Sequence, residues 1–196
     1  MAGLSRTHGF STLETLVVVA LVGVVSAIAL PMTTRAIGDV RLRGDARAVA
    51  NSVALAKMRA ASGFTRARMF VDLDAGGFVI QVWNRDLETW ETEGAMVELS
   101  PGVTFGFGAL ATPPPDTQAE IAQSPPCQDD EGEDIGNTAC FVFNSRGIPI
   151  DHAGAPTGNN GLYITDGLGV YGTTLTATPL VRLWWSPQHT AAWVRQ

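Results

Sequence analysis

Apolar positions fall along this chain in three regimes. Over residues 16–30 they dominate and no charge interrupts them. From Leu42 through Ala46, Val49, Val53 and Ala56 to Ala60 they step by 4, 3, 4, 3 and 4, which is one face of an α-helix. Beyond Gly63 they break into short runs between Gly, Pro, Asn and Asp, the pattern of strands and turns.

The first two regimes predict one long helix in two halves, apolar over residues 10–32 and amphipathic over 33–62. Pro31 lacks an N–H and is expected to bend the rod without ending it. Gly38 and Gly44 weaken it, and Gly63 is the natural stop. The small Ala positions let a sheet lie close to the second half. Residues 63–196 predict a head of strands. The fold class is therefore α+β, a long N-terminal helix packed against a β-rich antiparallel head.

Within the head, residues 68–73 and 78–83 flank Asp74-Ala75-Gly76-Gly77, a strong hairpin signal. Residues 87–94 read as a polar turn carrying Trp90, 96–99 as a short strand, and 103–107 as the next one. Later strands are expected at 162–165, 173–176 and 180–185, with an edge strand at 191–195. Residues 109–139 interrupt this order. They hold Pro113-Pro114-Pro115, Pro125-Pro126, seven acids and no base, which predicts a surface excursion.

Charge sharpens the division. Residues 33–62 carry a net +4 and residues 63–196 a net −10. A basic neck joined to an acidic head is not the footprint of a nucleic-acid-binding head. Glu14 is the one acid among the first thirty-eight residues. Twelve strongly apolar side chains lie over residues 10–30. At about −0.3 to −0.6 kcal/mol each they outweigh one carboxylate near a helix end. Residues 10–32 would span roughly 34 Å as a helix, enough to cross a bilayer.

Gly9-Phe10, with Glu14 four positions on and an apolar helix after it, resembles the class III signal of type IV pilins and type II secretion pseudopilins. The resemblance implies a leader over residues 1–9 and cleavage by a prepilin peptidase between Gly9 and Phe10. It also implies N-methylation of Phe10 and retention of the helix as a single-pass inner-membrane anchor, with the head in the periplasm. Pro31 fits, since such helices often bend near a Pro about twenty residues in. Leu99-Ser100-Pro101-Gly102-Val103-Thr104-Phe105 and Phe141-Val142-Phe143-Asn144-Ser145-Arg146-Gly147 resemble two segments of the GspH/FimT pseudopilin head. Leader, rod and head together thus resemble a minor pilin or pseudopilin, a non-enzymatic part of a type IV pilus or a type II secretion pseudopilus. Its partners would be other pilins in a filament or tip complex. In that setting Glu14 is the assembly residue, pairing with the amino terminus at Phe10 of its own or a neighbouring subunit. Cys127 and Cys140, the only two cysteines, read in an exported head as a disulfide.

Two other readings compete. A secretory signal would use Arg6 and His8 as its basic start, residues 16–25 as its apolar core and Ala27-Ile28-Ala29 as its cleavage site. That reading gives a soluble periplasmic binding protein, though Glu14 sits where such a signal tolerates charge poorly. Some FimT-type minor pilins take up DNA through basic residues near the C-terminus. Here only Arg182 and Arg195 are available, so DNA is an unexpected partner.

No catalytic constellation emerges. His152 and His189 sit in turn-like contexts, and no nucleophile elbow, zinc-protease or phosphate-loop motif is present. Asp129, Asp130, Glu131, Glu133 and Asp134 are the one candidate for calcium, but their spacing matches no EF-hand. No cofactor or metal is expected. The tryptophans are expected mainly in the core, with one ring of Trp184-Trp185 free to face a subunit contact.

Overall fold

The computed structural model describes residues 11–196, the side chains of residues 30, 31 and 34 excepted. One helix, α1 (Thr12–Ser62), precedes twelve strands. These are β1 (Ala67–Asp72), β2 (Gly77–Asn84), β3 (Thr89–Glu98), β4 (Thr104–Phe105), β5 (Cys127–Gln128) and β6 (Asp134–Ile135). Then come β7 (Thr138–Phe143), β8 (Pro149–Ile150), β9 (Asn160–Thr165), β10 (Gly169–Leu175), β11 (Val181–Pro187) and β12 (Val194–Arg195). The chain divides into two units, one ending at Gly38 and one running from Asp39 to Gln196.

In the first unit, Ser11 caps α1. Its Oγ accepts the Leu13 N–H at 3.2 Å and its carbonyl accepts the Thr15 N–H at 3.1 Å. The backbone stays helical through Pro31. Thr12–Ala29 is long and apolar enough to cross a membrane by length and composition, and none of it is buried.

In the second unit, Leu42, Ala46, Val49, Val53, Ala56 and Ala60 are each at most 1 % exposed. The 4-3 spacing thus became the buried face of α1. The helix stops at Ser62, where the Gly63 N–H still reaches the Arg59 carbonyl at 2.9 Å. The left-handed residue is not the glycine but Phe64, with φ 51°, which turns the Thr65 N–H back onto the Ala60 carbonyl.

Two antiparallel five-stranded sheets pack on that face, in the orders β3-β2-β1-β7-β8 and β12-β11-β10-β9-β4. A third, two-stranded ribbon pairs β5 with β6. The main core joins Val49, Val53, Ala56 and Ala60 to Met69, Val71, Phe141 and Phe143 of the first sheet and to Leu162 and Leu175 of the second. Leu42 and Ala46 meet Val103, Ile164 and Tyr171 in a second cluster. Alternation along each strand then fixes what faces outward. On the first sheet those residues include Arg68, Phe70, Trp83, Trp90 and Cys140.

Three expectations need correction. Residues 89–94 are not a turn but the first half of β3, and the turn is confined to residues 85–88. Trp90 lies opposite Trp83 across the hairpin, their rings edge-on at 5.2 Å. The acids that resembled a loop, Glu91 and Glu93, are charges on an edge strand, where they discourage unwanted pairing. Strand β10 also starts earlier than expected, at Gly169. Its Gly172 gives room to Tyr163, whose ring would lie 2.7 Å from an added Cβ. Finally, residues 109–139 do more than cover surface. Leu110 is buried with Tyr163 and Val170, and Ile121 packs against that cluster.

Candidate functional site

The excursion is held to both sheets by polar contacts that its composition does not advertise. Gln123 donates to the Tyr163 carbonyl at 3.0 Å and accepts its N–H at 2.8 Å, so one side-chain amide stands in for a strand along β9. Ser124 donates to the Gly161 carbonyl, and the Tyr163 hydroxyl donates to Gln118 Oε1 at 2.6 Å. Burial raises the Tyr163 pKa.

Its second half is an acidic hairpin on the outer face of the first sheet. Cys127 and Cys140 are joined, with a Cα–Cα separation of 5.0 Å, which bears out the disulfide. Arg68, 3 % exposed, donates to Gln81 Oε1 at 2.7 Å and to the Gln128 carbonyl. Asp130 accepts the Trp90 N–H at 2.8 Å, and Asn137 donates to Asp74 at 2.8 Å. The guanidinium of Arg68 lies 4.0 Å from the Trp90 ring centre and that of Arg66 lies 4.3 Å from Trp83. Burial pulls the Arg68 pKa down to about 10, with Asp130 partly opposing it. This clamp had one legible sequence signal, the pair of cysteines.

The expected site residues fare differently. Gly9 and Phe10 lie outside the described residues. Glu14 is exposed in the first turn of α1, where a carboxylate also complements the positive end of the helix dipole. His152 and His189 are exposed. Trp184 is 8 % exposed and donates to Thr174 Oγ1 at 2.9 Å, while Trp185 is half-buried against the Leu42 cluster. Trp184 is thus buried in the head, while Trp185 keeps part of its surface accessible. The acidic run commits oxygens to backbone donors, Asp129 Oδ1 accepting from Glu131 and Glu133. Among the described residues no three His, Cys, Asp or Glu come together as a metal cage. Arg182 and Arg195 line one shallow depression with Ala50, Leu180 and Gln196.

No protein-family model matches the chain, and no curated protein matches it. Two solved structures are similar to it. One is the minor pseudopilin EpsH from the type 2 secretion system of Vibrio cholerae, 12 % identical with a TM-score of 0.47, covering 76 % of this chain and 99 % of that one. The other is a crystal structure of the same minor pseudopilin from Vibrio cholerae, 12 % identical with a TM-score of 0.44, covering 75 % of this chain and 94 % of that one.

Proposed function

We propose that this chain is a minor pilin or pseudopilin, a non-enzymatic assembly component anchored in the inner membrane with its head in the periplasm. The observation that carries the reading is the double character of α1. Over Thr12–Ala29 the helix is apolar and unburied, with a lone carboxylate, Glu14, in its first turn. Over its second half the same helix turns its buried face to a β-rich head. The first unit thus carries a segment suited to a membrane or filament core, and the second a helical stripe that holds a folded head. Prepilin peptidase would cut between Gly9 and Phe10 and leave Phe10 methylated. Glu14, four positions on, would pair with that amino terminus, because an apolar setting makes a lone carboxylate costly and a paired one tolerable.

The test is the mature terminus. Mass spectrometry of membrane-extracted protein is expected to find methylated Phe10 as the first residue. Leu30 as first residue would instead mean a soluble exported protein. Glu14→Gln is expected to be cut normally and to reach normal membrane levels, yet to crosslink less to partner pilins. Wild-type crosslinking by that variant would leave Glu14 with no role in register.

A further inference from the structure

The second unit carries two surfaces of opposite charge that complement each other and cannot meet within one molecule. The first is the depression beside α1, about 320 Å³, where Arg182 and Arg195 are the charged lining residues and no acid is present. Strand β12 pairs with Trp184 and Trp185 of β11, and the Gln196 N–H reaches the Leu183 carbonyl at 2.9 Å, so the open edge of β11 is confined to the residues before Leu183. Exposed Arg47 lies one turn before Ala50, which lines the depression, and so adds a third cation on that flank of the helix. None of the three has an ion-pair partner among the described residues. The second surface is the turn of the acidic hairpin, where Asp130, Glu131, Gly132 and Glu133 are all exposed. Glu131 and Glu133 make no side-chain bond among the described residues.

The hairpin cannot swing into its own molecule's depression. It lies on the outer face of the first sheet, whereas the depression opens between α1 and the edge of the second sheet. Its ends are fastened by the disulfide, by Arg68 on Gln128 and by Asn137, whose carbonyl accepts the Leu73 N–H at 2.9 Å. We propose that the acidic hairpin tip of one copy, through Glu131 and Glu133, docks in the Arg182–Arg195 depression of the next, on the flank where Arg47 lies. The contact is heterologous: each copy offers a tip and a depression on different surfaces. Repetition therefore builds an open row of copies unless the rotation closes it. This contact deepens the assembly reading and rests on it for its setting, but the two fail separately. The mature terminus tests the reading, and crosslinking between copies tests the contact.

Full-length protein in detergent micelles, an isotope-labelled and an unlabelled batch mixed, carries a photo-crosslinking residue at position 131. The expected crosslinks join labelled to unlabelled copies, from position 131 to peptides containing Arg47, Arg182 or Arg195. Reversing the depression (R182E with R195E) or the tip (E131K with E133K) is expected to weaken association roughly ten-fold or more in each variant alone. Mixing the two variants restores it, because each then meets a surface of opposite sign. About 1 M salt, where the screening length is about 3 Å, abolishes it. Crosslinks confined to one copy, crosslinks to other segments, or association indifferent to both reversals would overturn the proposal. So would a depression that binds duplex DNA while the copies stay apart.

Discussion

Tyr163 shows how one side chain ties the excursion to the sheet. It is fully buried, edge-on to Phe107 at 6.0 Å, and its hydroxyl has Gln118 as partner. Because burial raises its pKa above the usual value of about 10, the folded chain keeps the phenol neutral where the unfolded chain ionises it. The stability that this contributes is whole below pH ~10 and drains as pH rises beyond it. Tyr163→Phe is expected to cost about 0.5–1.5 kcal/mol at neutral pH, the net value of one hydrogen bond. Urea midpoints for the two proteins should converge as pH climbs above about 10. A gap that widens there would mean the hydroxyl is not what titrates.

At the scale of the element, the end of α1 is the instructive case. Phe64 takes the left-handed conformation with its side chain 73 % exposed, so the position holds a strained backbone and little packing. Strain of about 1–2 kcal/mol is relieved by glycine, which costs back roughly 0.5–1 kcal/mol in unfolded-chain entropy. Phe64→Gly should therefore raise stability by about 0.5–1 kcal/mol, read as a higher denaturant midpoint with an unchanged slope. A lower midpoint would show that the aromatic ring contributes more than its exposure suggests. Gly63 is the stop that the sequence favoured, the first residue past the helix. The left-handed turn falls one residue later, at Phe64, where Thr65 reaches Trp83 and donates to its carbonyl at 2.9 Å.

Across the whole molecule, the excursion closes both sheets from outside, and the disulfide sets its second anchor. The bridged residues are 13 apart, for which loop-closure arithmetic gives about 3 kcal/mol. Cys127→Ala with Cys140→Ala is expected to lower stability by about that amount. Amide exchange should then rise in residues 127–139 and at Trp90, whose N–H Asp130 holds, while the Val49–Phe141 core stays protected. Uniform exchange across both sheets would mean the bridge supports the core itself.

The helix, its buried face, the first hairpin and the disulfide were legible in the residues, because each is written in a local period or in a chemistry with one partner. A 4-3 step can bury only one stripe, and two cysteines have one pairing. The excursion's role was not legible. Its acids and prolines describe a solvated loop, and Gln118, Gln123, Arg68 and Asp130 are polar residues whose partners lie up to 60 positions away. Such bonds have no period and no spacing. Only the sheets, once formed, present the Tyr163 backbone and the Trp90 N–H that these side chains satisfy. The same holds for the facing of charge. Composition revealed a basic neck and an acidic head, but the tertiary structure decided that Arg182 and Arg195 gather beside α1 while the acidic tip stands on the other side of a sheet.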